Sequence, residues 1–166
     1  MQQAEMKRYE VRHRLFPPDA MCTVTDHRGR ILFESENIPE SAGRSIFLRT
    51  PTNLPVAEVR QDMLGPRPTC EIFRDDSLLF ALREDLYSLA ERRFTASGPA
   101  GDYELRGDWP NWRILVTQDE RRVAEITQVP STLIDHYAVD VAPDADLVSM
   151  LCMAIALHEL TRAGPS

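Results

Sequence analysis

The sequence predicts a mainly β protein: a closed antiparallel barrel of about 12 strands around a central hydrophobic α-helix at its C-terminal end. Three observations predict this fold. Short alternating or wholly apolar runs, separated by turn residues, occupy about 8–141. One helical pattern follows over about 144–162, and its segment "DLVSMLCMAIALHEL" is apolar on every side. The predicted lengths of the helix and the strands also match.

The predicted strands are short and follow one another closely. They lie near 8–16, 21–26, 30–36, 44–50, 54–61, 69–74, 78–84, 91–97, 101–107, 111–118, 121–127 and 134–141. Turn-forming residues separate them, as in "HRG" at 27–29, "DD" at 75–76 and "DE" at 119–120. A weak repeat of strand, polar turn and strand indicates either a repeated unit or an ordinary meander. Both interpretations predict consecutive hairpins in one antiparallel sheet.

The helix has start and stop signals of its own. Pro143 suits a helix start, and Asp144 and Asp146 suit the positive end of the helix dipole. Gly164 and Pro165 follow the last turn, where they favour termination. A helix that is apolar all round has to be buried all round.

A closed barrel of twelve strands can enclose this helix. About eight strands fill a barrel with their own side chains, whereas twelve leave a wider interior that a helix can fill. Nineteen helical residues span about 28 Å, and strands of seven or eight residues span about 25 Å. Ala154 and Ala156 would let strands approach the helix closely, and Ser149 would bond the carbonyl four residues back.

Composition excludes several classes of protein. The 166 residues fit a single domain, 1–166, and the net charge of −7 argues against general binding to nucleic acid or anionic membranes. Cys22, Cys70 and Cys152 form no disulfide framework, so we expect a reducing, cytoplasmic location. The first residues contain no apolar run typical of a signal peptide. The apolar run 147–157 is shorter than the roughly 20 residues that cross a bilayer, so we expect no transmembrane segment.

Several segments, in order, resemble the LURP-one-related family, which is grouped with the tubby C-terminal domain and the phospholipid scramblases. They are "YEVRHRLF" (9–16), "VTDHRGRILFES" (24–35), "CEIFRDD" (70–76), "GDYELRGDW" (101–109), "RRVAEIT" (121–127) and "YAVDVAPDADLVSMLCMAIAL" (137–157). The resemblance implies a tubby-like barrel of twelve strands around a C-terminal hydrophobic helix. Tubby-like relatives bind phosphoinositides through basic residues on the barrel exterior, so the resemblance implies an outer surface that recognises an anionic phosphoinositide or phospholipid headgroup.

The sequence departs from its relatives where several of them carry paired lysines. The matching places read "RQDM" (60–63), "REDL" (83–86) and "TQVP" (127–130), which weakens the inference of lipid binding. The sequence also shows no second membrane helix and no calcium loop of the kind that scramblases carry.

The sequence matches none of the common catalytic motifs in full. We therefore predict that the protein is not an enzyme and has no catalytic residue, cofactor or metal site. "HELTR" at 158–162 has Arg162 where a zinc-binding HExxH motif needs its second histidine. Cys152 and His158 lie six residues apart on one helix and point to different sides. His136 beside Asp135 is either a catalytic dyad or a surface pair at a strand end.

Binding features are clearer, and the first strand carries one of them. If Tyr9 and His13 face inward, then Arg8, Arg12 and Arg14 face outward. Together with Lys7 they form what we call the basic stripe: Lys7, Arg8, Arg12 and Arg14. It either holds a phosphate or an acidic peptide, or is a solvated outer face paired with neighbouring acids.

Trp109 and Trp112 in "GDWPNW" are the second binding candidate. They either anchor a partner or membrane interface, or cap the mouth of the barrel.

Two hypotheses of function follow. The first is a non-catalytic binding or scaffold module whose outer surface recognises an anionic phospholipid headgroup or a protein partner; a purely structural subunit fits the same features. The alternative is a scramblase-like membrane factor or enzyme that acts on phospholipids. A barrel filled by a helix has no internal cavity, so both hypotheses place any ligand outside or at a mouth.

Overall fold

The structure, a computed structural model, describes residues 5–13, 22–40, 43–62, 65–85, 91–130 and 135–162, with the side chains at 39, 40 and 162 left out. Twelve strands precede one helix, α1 (Leu147–Arg162). The strands are β1 (Lys7–His13), β2 (Cys22–Thr25), β3 (Ile31–Glu40), β4 (Gly43–Arg49), β5 (Pro55–Asp62), β6 (Thr69–Arg74), β7 (Ser77–Glu84), β8 (Arg93–Gly98), β9 (Gly101–Asp108), β10 (Arg113–Gln118), β11 (Arg121–Gln128) and β12 (Asp135–Val141). Each predicted strand has a counterpart, although residues 14–16, 21 and 134 of the predicted strands lie outside the described residues.

The strands form a closed barrel, as predicted. Each strand pairs antiparallel with the next one along the chain, and β1 closes the ring by pairing with β12. That closing register runs from Lys7 opposite Val141 to His13 opposite Asp135. Register shifts in four of the strand pairs mark β-bulges, which increase local twist and bend the sheet.

Alternation along the strands gives the barrel its interior. Val11, Ile72, Ile114 and Val139 are all fully buried, while their neighbours in sequence keep some exposure or face outward. These inward side chains and those of α1 form a single hydrophobic cluster. The core therefore lies between the strands and the helix.

The helix occupies the centre of the barrel. From Met150 to Leu157 every residue is at most 2% exposed. The Cys70 thiol of β6 lies 3.8 Å from the Ala156 carbonyl oxygen, so strand and helix backbone approach closely at this alanine. The described part of the chain contains no helix with the length and apolar character needed to cross a membrane.

The helix begins at Leu147, three residues later than predicted, because Asp146 caps it. The backbone N–H of Ser149 donates to Asp146 Oδ2 over 3.0 Å, and the Ser149 hydroxyl donates to the same oxygen over 2.6 Å. The expectation that Ser149 would bond the carbonyl four residues back is therefore wrong. The carboxylate at the N-cap is the stronger acceptor and lies within reach.

The hairpin turns follow their sequence signals. Asp75 and Asp76 both have positive φ angles (50° and 62°), as do Asp119 and Glu120 (51° and 63°). Two successive positive φ angles are what a two-residue type I′ turn requires, and this turn matches the twist of the strands it joins. The "DD" and "DE" turns therefore connect β6 to β7 and β10 to β11.

A glycine brings together the two strands that flank the tryptophans. Gly107 in β9 lies opposite Ile114 in β10, and a Cβ atom added to it would come within 2.0 Å of the Arg113 carbonyl oxygen. Only glycine allows such an approach. The close contact fixes the short turn between β9 and β10, which contains Trp109 and Trp112.

Candidate functional site

A cleft of about 380 Å³ opens at the end of the barrel where α1 terminates. We call it the mouth cleft. Its lining includes Arg92, Trp109, Trp112, Asp135, His136 and His158. They come from the segment before β8, the β9–β10 turn, the start of β12 and the last turns of α1. Gln128 and Val129 at the end of β11 complete the lining, so the cleft is assembled from five separate parts of the chain.

Trp109 forms one side of the mouth cleft. Its indole Nε1 donates a hydrogen bond of 2.8 Å to the Arg92 carbonyl oxygen, and its ring packs on Phe94, with ring centroids 5.1 Å apart. The Arg92 guanidinium lies 5.4 Å from the Trp109 ring and 5.2 Å from the Phe94 ring. Its Nε also donates to Glu84 over 2.8 Å. Arg92 is thus held by a carboxylate and two aromatic rings.

Trp112 holds an unusual backbone conformation. Its φ angle is 49°, in the left-handed region that bulky residues rarely adopt. Two hydrogen bonds hold the backbone there: Trp112 N–H donates to the Trp109 carbonyl oxygen, and Gln128 N–H donates to the Trp112 carbonyl oxygen. The indole ring contacts the rings of Tyr137 and His158 edge-on, at 5.1 and 6.3 Å between centroids. Such strain persists where surrounding structure enforces it, often at functional sites.

Beneath Trp112 lies a buried cluster of His13, Tyr137 and His158. Nε2 of His13 is 2.8 Å from the Tyr137 hydroxyl oxygen. The His13 and His158 rings stack, with centroids 4.1 Å apart and an angle of 19° between planes. Burial raises the pKa of the Tyr137 hydroxyl well above its ordinary value, so Tyr137 stays neutral. The expectation that His13 faces the core is confirmed, because it is 5% exposed.

Both ring nitrogens of His158 face carboxylates. Nε2 lies 3.1 Å from Asp135 Oδ2, and Nδ1 lies 3.9 Å from Glu159 Oε1. Glu159, in turn, lies 3.6 Å from Arg44 Nη1 in β4. A general base needs a nitrogen directed at its substrate. The arrangement is therefore better suited to fixing the end of the helix than to moving a proton in the cleft.

His136 and Asp135 do not form the dyad that their adjacency suggested. Neighbouring residues of a strand point to opposite faces, so Asp135 turns to His158 while His136 turns to the outer face. There Nε2 of His136 lies 3.4 Å from Glu10 Oε1. Burial and then the nearby Arg12 guanidinium lower the pKa of His136, and Glu10 opposes them only in part.

Two members of the basic stripe, Arg8 and Arg12, are paired with acids. Arg8 donates to both carboxylate oxygens of Asp140, over 2.9 and 3.1 Å, and this contact raises the pKa of Arg8. Arg12 donates to Glu10 over 2.9 Å and to the Thr25 hydroxyl over 3.4 Å. Of the remaining members, Lys7 is exposed at the start of β1, and Arg14 lies outside the described residues. For Arg8 and Arg12 the structure shows an acid-paired outer face.

The other catalytic candidates, Cys152 and the "HELTR" segment, do not form a catalytic or metal site. Cys152 is fully buried in the core, and burial raises the pKa of its thiol to about 12. His158 of the "HELTR" segment contacts His13 and Asp135 instead of a second helical histidine. Within the described ranges, no three His, Cys, Asp or Glu side chains come together as a group that could hold a metal ion.

Sequence reasoning singled out both tryptophans, and the structure places them at the barrel mouth. The sequence patterns did not predict the contacts of His13 with Tyr137 and His158, or the contact of Asp135 with His158. The available signal was the alternation of β1, which turns His13 inward. The partners depend on the pairing of β1 with β12 and on the helix entering the barrel, both of which are distant along the chain.

Fold and cleft together define a helix-filled, twelve-stranded barrel whose accessible sites are its ends and its outer face. Residues 8–158 match the family model described as LURP-one-related. The chain therefore belongs to the LURP-one-related family.

The fold has a solved counterpart. An X-ray structure of a protein from Arabidopsis thaliana is similar with a TM-score of 0.60, over 94% of each chain and at 16% sequence identity. This likeness concerns the fold alone. No curated protein matches the chain.

Proposed function

We propose that this protein is a non-catalytic protein-binding module whose partner occupies the mouth cleft. The observation that carries the proposal is the filled interior, since the helix residues from Met150 to Leu157 are at most 2% exposed and pack in one cluster with the inward side chains of the strands. A ligand then has to bind at an end or on the outer face. The mouth cleft offers two partly exposed tryptophans and an arginine, the residue types that dominate binding energy at protein interfaces.

The basic stripe supports an anionic headgroup less well than the mouth cleft supports a protein. A headgroup would have to displace Asp140 from Arg8 and Glu10 from Arg12. The net charge of −7 also opposes approach to an anionic membrane. A protein partner at the mouth meets neither obstacle.

We further propose that the protein works in the cytoplasm. Cys22, Cys70 and Cys152 are all free thiols buried in the core. Buried, unpaired cysteines fit a compartment that keeps thiols reduced.

The test compares partners co-purified from the native cell by three forms of the full chain. The cleft variant, Pro110→Arg/Gln128→Arg, adds bulk and charge at two exposed positions of the cleft wall. The matched control, Ser77→Arg/Ala100→Arg, adds the same groups at two exposed positions at the other end of the barrel, the first residue of β7 and the turn between β8 and β9. We expect proteins retained by the wild type and by the control to be lost from the cleft variant. Equal retention by all three forms would contradict the proposal.

Binding to lipid vesicles tests the competing ligand, an anionic phospholipid headgroup at the basic stripe. Phosphatidylcholine vesicles containing a phosphoinositide are mixed with the wild type and with Arg8→Ala/Arg12→Ala at low and high salt. We expect no salt-sensitive binding. Salt-sensitive binding that the variant loses would replace the protein partner with a headgroup at the basic stripe. Calcium-dependent lipid mixing would instead favour a scramblase-like activity.

A further inference from the structure

The mouth cleft lies at the negative end of the helix dipole. α1 ends at Arg162, and its last turn supplies His158 and Thr161 to the lining. The free carbonyl groups at a helix C-terminus carry partial negative charge and favour cations. The electrostatic field of the helix therefore prepares this end of the barrel for a positive group.

Asp135 adds a full negative charge to the same cleft. Its side chain is 47% exposed, and its Oδ2 is bonded to His158. Its other oxygen, Oδ1, receives no hydrogen bond from any residue in the described ranges. One carboxylate oxygen thus remains available to a donor that enters from solvent.

Among the described residues that line the cleft, the positively charged or titratable groups are already matched or neutral. Arg92 is the one lysine or arginine among the described lining residues, and Glu84 holds its guanidinium at 2.8 Å. The lowered pKa of His136, caused first by burial and then by Arg12, keeps that ring neutral at pH 7. Glu159, packed behind His158, is matched by Arg44. The negative charge of Asp135 is therefore the one that a positively charged ligand can complement.

The aromatic walls suit a planar cation. Trp109 and Trp112 each keep part of their surface exposed in the cleft. Arg92, with its guanidinium over the rings of Phe94 and Trp109, already demonstrates this type of contact within the chain. Guanidinium groups stack on aromatic rings and donate in a planar fork to carboxylates, which an ammonium group does less well.

We propose that the mouth cleft binds an arginine side chain of the protein partner, with the guanidinium between the tryptophans and Asp135 Oδ1. This inference rests on the proposed function, because it names the group by which the partner is recognised at the same cleft.

The two tryptophans of the chain, Trp109 and Trp112, make the experiment site-specific, because their indole N–H signals in ¹H–¹⁵N NMR spectra both report on the cleft. The probes are three Gly/Ser peptides of equal length whose central residue is arginine, citrulline or glutamate. Citrulline has the shape of arginine without its charge. The protein is the full chain, as wild type, Asp135→Asn and Asp140→Asn. Asp140 lies on the same strand but bonds Arg8 on the outer face.

We expect saturable shifts of the indole signals with the arginine peptide and about tenfold weaker binding of the citrulline peptide, as the loss of a charge-assisted hydrogen bond predicts. Asp135→Asn should weaken arginine binding about tenfold, whereas Asp140→Asn should leave it unchanged. Unchanged spectra of the apolar core would show that both variants are folded.

Equal binding of the three peptides, or preference for glutamate, would overturn the arginine inference and leave the cleft a binding site. Failure of all three peptides to shift the indole signals would also overturn it. The proposed function would be judged separately, by the co-purification experiment with the cleft variant.

Discussion

The rings of His13 and His158 stack face to face, with centroids 4.1 Å apart, where the end of β1 meets the last turns of α1. The contact joins the first strand of the barrel to the helix that fills it. Tyr137 of β12 completes the junction by its hydrogen bond to His13, and Trp112 packs against its edge. The first strand, the β9–β10 turn and the last two elements of the chain, β12 and α1, are thereby held together at the mouth cleft.

Tyr137→Phe removes one buried hydroxyl from this junction and changes little else. We expect a loss of about 1 kcal/mol in the free energy of unfolding, because the 2.8 Å hydrogen bond to His13 disappears. Urea unfolding at neutral pH measures it. Tyr9→Phe is the matched control, since the Tyr9 hydroxyl makes no hydrogen bond with a described residue. Equal stability of the two variants would contradict the importance of the bond.

Ala154→Asp places an unpaired charge in the centre of the barrel. Ala154 is fully buried on the helix, so the carboxylate would lose its hydration without gaining a partner. We expect a loss of several kcal/mol, enough to unfold a domain of ordinary stability, and the same for Leu151→Asp. Circular dichroism melting measures it, with Ala100→Asp at an exposed turn as control. A native melting temperature for Ala154→Asp would show that the helix is not buried.

The three cysteines should be inert in the folded protein. Burial raises the pKa of the Cys22 and Cys152 thiols to about 12, and burial also raises that of Cys70. Since the thiolate is the reactive form, a thiol reagent at pH 8 should label none of them within minutes. All three should react after denaturation in guanidinium chloride. Rapid labelling of the native protein would reveal an opened barrel.

Acid should weaken the start of the helix through Asp146. Burial alone would raise the pKa of this carboxyl, but hydrogen bonds from Ser149 and the charge of Arg74 lower it overall. A folded pKa below the unfolded value, about 3.9, gives stability that is complete above that value and is lost as pH falls through the folded pKa. The melting temperature of Asp146→Asn should therefore fall less between pH 7 and pH 3 than that of the wild type.

Two comparisons make the acid experiment specific. Asp76→Asn changes an exposed turn carboxylate. Between pH 7 and pH 3 the melting temperature of this variant should fall as much as that of the wild type. Part of the acid sensitivity should remain in Asp146→Asn, because hydrogen bonding from the Arg30 backbone, first among several causes, also lowers the pKa of Asp26. Equal falls in the wild type and Asp146→Asn would exclude the helix cap as an acid-sensitive element.

The barrel and its helix were predictable because their causes are local or compositional. Alternation along β1 and β12 determines which side chains point inward, and turn residues such as Asp75 and Asp76 determine where the chain reverses. The helix is apolar on every side, which requires burial on every side. These patterns were enough to count the strands and to place the helix inside them.

The cleft was less predictable because its contacts depend on register between distant segments. Asp135 and His136 are adjacent in sequence, yet they bond to His158 and Glu10 on opposite faces of the sheet. The partner of Arg8 is Asp140 because the two residues lie opposite each other where β1 meets β12. A sequence pattern gives the face of each residue, but it does not give this pairing.

The filling of the barrel by α1 has a consequence for synthesis. Inward side chains such as Phe80 and Leu105 leave the ribosome well before the helix that covers them. At about 5–20 residues per second, the chain from Phe80 to Leu160 takes about 4–16 s to make. For most of that interval the ring cannot close, since β12 is also missing until Val141 has been made. We expect the nascent chain to need a chaperone over that period, and chaperone depletion to lower the yield of native protein.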